Sequence, residues 1–379
     1  MTIKELLIIM DKVKASDLYI TVDAPPMFRI EGLTRPYGES KLTPHQTEDI
    51  AQSLMTERQK ATFSETLEMN LGLYYPELGR FRVNIFRQKS FVGLVFRRIK
   101  LEIDTLDDLQ LPPILKDICL TKRGLVLVVG GTGTGKSTTL AAMIEHRSSM
   151  TTGHIITVED PIEFLYPHRK CIVSQREIGI DTYSYSEALK NTLRQAPDVI
   201  LIGEIRDRET MESAITFSET GHLCMSTLHA NNANQAIERI MNFFPPEKQA
   251  QIYFQLSLNM RAFISQRLVP TVDGKRVAAM EILIDTPRVK DLIMKRKIEV
   301  LKEAMQESSS EGMQTFDKSL FDLFKSGKIS YENTIAYADS ANDLRLRIKI
   351  DDVQDKSTQP SPKSKKYDSS DDDNSLRLK

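Results

Sequence analysis

The tightest constraint in the sequence is the apolar run Gly124-Leu-Val-Leu-Val-Val129, which leads directly into Gly130, Gly131, Thr132, Gly133, Thr134, Gly135, Lys136 and Ser137. A helical stretch opens at Thr138 and continues through Ile144. A near-continuous apolar run marks a strand buried on both faces of a parallel sheet. Strand, glycine-rich loop and helix, in that order, are the context in which such a loop holds phosphates. Its glycines let backbone N–H groups close around phosphate oxygens at the positive end of a helix. The predicted nucleotide contacts therefore run from Gly130 to Thr138. Lys136 supplies a point charge to the β- and γ-phosphates of ATP, and the Ser137 hydroxyl is a ligand for Mg²⁺.

Apolar runs return at His154–Val158, Val199–Ile202, Leu223–Leu228 and Ala279–Ile284, separated by helical patterns. Strands alternating with helices predict a doubly wound α/β domain with a largely parallel sheet over 114–350. Residues 1–100 predict a small α+β domain, with a helix opening at Pro44 after the N-cap Thr43 and paired strands at Gly79–Phe86 and Val92–Phe96. Between the two, residues 101–113 carry Asp and a Pro-Pro pair and suggest a linker. The alternation Leu344-Arg-Leu-Arg-Ile-Lys-Ile350 predicts a last edge strand. Residues 351–379, rich in Ser, Pro, Lys and Asp, predict a disordered polar tail.

With 51 basic and 52 acidic residues in 379, the chain shows no overall electrostatic footprint for nucleic acid. Its three scattered cysteines exclude a disulfide framework and a cysteine-based zinc site. No apolar run approaches the roughly 18 residues that would span a bilayer, and the N-terminus lacks the cleavage site of a signal peptide. A cytoplasmic protein is expected, with any membrane role arising through partners.

Glu204 ends the strand Val199–Ile202 after Gly203, where a carboxylate can reach Mg²⁺ or its water shell. Glu159, Asp160 and Glu163 crowd the end of another strand; one of them could orient an attacking water, and spacing alone does not say which. His222 and His229 flank Leu223–Leu228, where imidazoles could report a γ-phosphate, although a lone His is as often structural. Arg80 and Arg82 share one face of a strand, with Arg97 and Arg98 on its partner. Arginines from a separate domain can stabilise transition-state charge, but a solvated basic face is the plainer reading of the spacing.

Taken together, the loop, Val158-Glu-Asp-Pro-Ile-Glu-Phe164, Ile202-Gly-Glu-Ile-Arg206, Glu219-Thr-Gly-His222 through His229, and Gly312-Met-Gln-Thr-Phe316 resemble the PilT/PilU family of type IV pilus retraction ATPases, over residues 1 to about 350. The resemblance implies a PAS-like N-terminal domain joined to a RecA-like ATPase domain, six copies forming a ring. It makes Glu163 the catalytic carboxylate, Glu204 the Walker B acid, His222 and His229 the histidine-box residues, and Arg80, Arg82 and Arg97 the candidates for reaching the nucleotide. Asn191–Asp198, Leu228–Gln235 and Ala338–Leu346 look like the PilU branch. Where PilT-like proteins carry Ala-Ile-Arg-Asn-Leu-Ile, this chain has Arg288-Val-Lys-Asp-Leu-Ile293. The expectation is an accessory motor working with a PilT-type ATPase on an inner-membrane platform protein. The rival expectations are an ATP-binding scaffold with little turnover and a nucleic-acid translocase.

Overall fold

A computed structural model describes residues 2–99 and 102–358. The N-terminal part is built on a six-stranded sheet: β1 (Asp17–Ile20), β2 (Met27–Ile30), β3 (Leu33–Pro36), β4 (Glu68–Tyr75), β5 (Gly79–Gln88) and β6 (Phe91–Arg98), in the order β3-β2-β1-β6-β5-β4. Every pairing in it is antiparallel. The helices Ile3–Lys12, Pro44–Leu54 and Glu57–Thr66 each begin with a Thr capping box, closed by Glu5, Gln46 and Gln59. Leu7, Met10, Phe81, Val83 and Phe96 fill the core between helices and sheet. On β5 the apolar residues point inward while Arg80 and Arg82 lie half-buried on the other face.

The second sheet has seven strands: β7 (Gly124–Val129), β8 (Gly153–Glu159), β9 (Cys171–Glu177), β10 (Val199–Ile202), β11 (Leu223–Leu228), β12 (Met260–Pro270) and β13 (Arg276–Ile284). Their order is β13-β12-β7-β11-β10-β8-β9, and every pairing is parallel except that of β13 with β12. β7, β10 and β11 are buried along their whole length, because helices cover both faces. The stretch after the first sheet packs on this domain, with Leu106 and Leu111 buried against the core around β7.

The C-terminal region corrects two expectations. Residues 344–350 are not an edge strand; they belong to the helix Ala341–Thr358. Leu344 (1% exposed) and Ile348 (5%) face inward four residues apart, while Leu346 (59%) and Ile350 (50%) face out. Alternating apolar residues thus supply a helical i,i+4 pair to the core and leave the other pair in solvent. A local signal for this was present: Ser340 bonds Asp343 three residues later, a helix-start pattern. The helix also carries chain order past 351, where a disordered tail was expected to begin; residues 359–379 lie outside the described residues. Arg267 on β12 fastens this region to the sheet. Its guanidinium lies 3.8 Å from the Phe316 ring centroid and donates to the Tyr337 carbonyl (2.8 Å) and to Asp339 (2.7 Å).

The two readings of 344–350 make different demands on stability. Leu344→Ala should cost about 2–5 kcal/mol, as for other buried leucines, and Leu346→Ala should stay within about 0.5 kcal/mol. Urea denaturation of both variants tests this, and equal losses would contradict the helix.

Candidate active site

Parallel pairing sets the C-terminal ends of neighbouring strands side by side. Leu228 of β11 pairs with Val129 of β7, and Ile202 of β10 pairs with Ser226 of β11 and Val158 of β8. The loops leaving those strands carry the phosphate-binding motif, Glu159 to Phe164, Glu204 to Arg206, and His229. They surround a cavity of about 200 Å³ lined by Lys136, Ser137, Glu163, Glu204, Arg206 and His229, among others. Strand ends of an open α/β sheet are where such folds bind ligands.

The glycine loop sits against β12. At Gly135, φ is +87°, and a Cβ would lie 2.7 Å from the Gln266 amide nitrogen. Only glycine meets both demands. Gln266 in turn accepts from the Thr139 hydroxyl (2.7 Å), locking the first turn of the helix Lys136–Met150. The Lys136 ammonium donates to the carbonyls of Gly130 (2.9 Å) and Gly131 (2.7 Å). Burial lowers its pKa, while the fields of Glu204 and Glu163 act the other way. On the far side of the helix start, Gly135 and Thr138 border a second cavity of about 820 Å³ that runs along Leu268 and Arg276.

The acids separate by environment. Glu159 is buried and accepts from the Thr157 hydroxyl (2.7 Å) and the Gln175 amide (3.2 Å). Burial pushes its pKa up to about 7 against those hydrogen bonds. Asp160 is exposed and lies 3.5 Å from Arg206. Glu163 is exposed, and all three acids line the cavity. The loop that carries it is pinned by Gln175, which donates to the Phe164 carbonyl (2.9 Å) and accepts from the Tyr166 amide (2.8 Å). Sequence reading missed both Gln175 and Gln266, because a lone Gln in a strand carries no motif.

Glu204 is held from two sides: Arg206 Nε donates to Oε2 (2.6 Å), and His229 Nε2 lies 3.0 Å from Oε1. Burial and then the charge of Lys136 lower the His229 pKa, so near neutral pH this contact is a neutral imidazole N–H donating to a carboxylate. His222 does not join the site within one chain. It precedes β11 at the opposite end, about 20 Å away at 3.3 Å per residue. There its ring contacts Thr220 and the Phe217 carbonyl. The two histidines that flank β11 in sequence are therefore split by the strand between them.

Arg80, Arg82 and Arg97 share one face of the first sheet. Arg80 Nη2 lies 3.6 Å from Glu177 and 3.9 Å from Asp181, and Arg82 adds to the field at Glu177. Arg97 donates to Asp17 (2.8 Å) and feels the charge of Glu163. Arg98 pairs with Asp11, away from the cavity. Gly312-Met-Gln-Thr-Phe316 has a packing role: Met313 and Phe316 are buried, and Gln314 bonds the Met280 carbonyl of β13.

Glu159 makes stability depend on pH. Its unfolded value is 4.5 and its folded value is raised to about 7. Between those values the folded chain keeps a proton that the unfolded chain has lost, so stability falls as pH rises through that window and levels off above it. Glu159→Gln removes this titration. The difference in melting temperature between about pH 5 and about pH 8 should therefore shrink in the variant, as thermal scans at the two pH values would show.

Comparison with known proteins agrees with this geometry. The family model described as Type II/IV secretion system protein matches residues 93–316. The type IV pilus ATPase PilU of Pseudomonas aeruginosa is 52% identical, covering 94% of this chain and 93% of its own length. The type IV pilus retraction ATPase PilT of the same organism is 43% identical over 88% of this chain and 97% of its own. The crystal structure of the pilus retraction motor PilT with bound ADP superposes with a TM-score of 0.84 at 39% identity, covering 91% of this chain and 99% of that one. With the glycine loop, the strand-end carboxylates and this likeness in hand, the chain belongs to the type II/IV secretion system family, among its type IV pilus ATPases.

Proposed function

We propose that this chain is a subunit of a homo-hexameric motor that hydrolyses Mg-ATP to drive type IV pilus retraction, as the accessory PilU-type partner of a PilT-type ring. The observation that carries the reading is the meeting of Lys136, Ser137, Glu163 and Glu204 around one cavity at the strand ends. The phosphates lie on the loop from Gly130 to Thr138, and the nucleoside extends into the larger cavity beside Gly135 and Thr138. The hydroxyl of Ser137 and the carboxylate of Glu204 are hard oxygen donors that suit Mg²⁺. The ion would supply charge neutralisation at the phosphates. Glu163 orients the attacking water, and His229 holds Glu204. Arg97, paired across the sheet with Arg82, feels the charge of Glu163.

In this reading residues 1–100 form one domain, 101–113 the linker and 114–350 the ATPase domain, whose mutual angle changes through the cycle. Contacts around a ring are heterologous, each subunit offering one surface to the next and another to the previous one. Among the described residues no helix is long and apolar enough to cross a membrane. Attachment at the cytoplasmic face of the inner membrane then runs through the pilus platform protein. The balanced charge of the chain gives no support to a nucleic-acid track.

Steady-state ATPase assays test the chemistry. Glu163→Gln should lower kcat by about 100-fold or more while ATP binding is retained, and Lys136→Ala should lose binding as well. A folded, ATP-binding parent with no turnover would replace the motor with a scaffold that regulates another one. Light scattering after size exclusion tests the assembly: with ATP the parent should run as six subunits, and a monomer under those conditions would remove the ring.

A further inference from the structure

Strand β9 does more than close the edge of the second sheet. Its last residue, Glu177, pairs in register with Glu159, the last residue of β8, from which the Glu163 loop departs. The Glu177 side chain is almost fully enclosed, at 3% exposure. Its carboxylate is approached by Arg80 of β5 to 3.6 Å, and two residues earlier on the same strand Gln175 holds the Glu163 loop at Phe164 and Tyr166.

The segment after Glu177 is built around the same point. The Glu177 carbonyl accepts from the Asp181 amide (2.8 Å), and the Asp181 carboxylate accepts from the Glu177 amide (2.9 Å). The first sheet rests on this segment. A Cβ at Gly72 would sit 3.1 Å from Arg80 Nη2 and 3.4 Å from the Ile180 side chain, so β4 comes as close as a glycine allows. Arg58 donates to the Tyr183 hydroxyl (3.0 Å) in the same contact.

An interface that only needed adhesion would be served as well by apolar packing, because a buried ion pair gains little net stability. A carboxylate that meets an arginine of one sheet at the end of the strand holding the Glu163 loop has a different use. It makes the position of the loop depend on where the first sheet stands. We propose that Glu177 is a positioning residue that ties Arg80 to the end of β9, the strand that holds the Glu163 loop, so that movement of the N-terminal sheet moves Glu163 into or out of register with the nucleotide. This rests on the reading of Glu163 as the catalytic carboxylate.

The test is steady-state ATPase activity of full-length Glu177→Gln, Arg80→Ala, Arg80→Lys and the Glu177→Gln/Arg80→Ala double variant, with Glu163→Gln alongside. Each of Glu177→Gln and Arg80→Ala should lower kcat by about tenfold with KM for ATP within about twofold. The double variant should fall by that same factor, because the two residues act as one unit. Arg80→Lys, which keeps the charge, should recover most of the rate. A double variant slower by the product of the single losses would show Arg80 acting on the nucleotide by itself, and would overturn the proposal. So would an unchanged kcat accompanied only by a lower melting temperature. If Glu177→Gln does not fold, Glu177→Asp carries the test, since withdrawing the charge by one methylene should still lower kcat severalfold at constant KM, and an unchanged kcat overturns the proposal. Full turnover in Glu163→Gln would sink the reading of the catalytic acid separately, whatever the other variants do.

Discussion

Parallel hydrogen bonding between β8, β10, β11 and β7 is the constraint on which the rest of the molecule depends. In a parallel sheet every strand runs the same way, so all C-terminal ends emerge on one rim and the loops that follow share a small volume. The glycine loop, the Glu159–Phe164 loop, Glu204 and His229 come from separate parts of the chain, yet they line one cavity for this reason. Antiparallel strands would have alternated them between two rims. The separation of His222 from His229 makes the same point, since the two stand at opposite ends of a single strand.

Gathering so many charges on one rim requires that each be answered. Lys136 is held by two carbonyls of its own loop, and Glu204 is held by Arg206 and His229. Among the described residues Glu159 has no cation against it, and burial raises its pKa against the hydroxyl and amide donors that hold it. Glu163, exposed four residues later, keeps the freedom to meet solvent. Neighbouring carboxylates that line one cavity are thereby set in different environments, one buried and hydrogen-bonded and the other exposed.

Two amides with no motif to announce them do much of the positioning. Gln266 seats the glycine loop against β12 and fixes Thr139, while Gln175 pins the Glu163 loop to β9. Both work through hydrogen bonds, buried at Gln266 and partly buried at Gln175, which fix direction as well as distance. Arg267 does the corresponding job for the C-terminal helices through Phe316, Tyr337 and Asp339. The active rim is therefore braced from β12 on one side and β9 on the other.

The sequence by itself determined the α/β class, the phosphate loop, the strand ends that carry Glu204 and the Glu159–Glu163 cluster, and the alternation on β5 that puts Arg80 and Arg82 on one face. Those features are local: a periodicity, a glycine spacing, a residue at the end of an apolar run. What only the tertiary structure decided were questions of partnership across the chain. Leu344 to Ile350 satisfies a strand pattern and a helical one equally well, and the choice came from which pair could bury against Phe316 and its neighbours. How deeply each acid of the 159–163 cluster is buried, which histidine reaches Glu204, and which side chains hold the loops depend on residues far away in sequence. Burial and hydrogen-bond partners are set by the packed fold, and no local spacing encodes them.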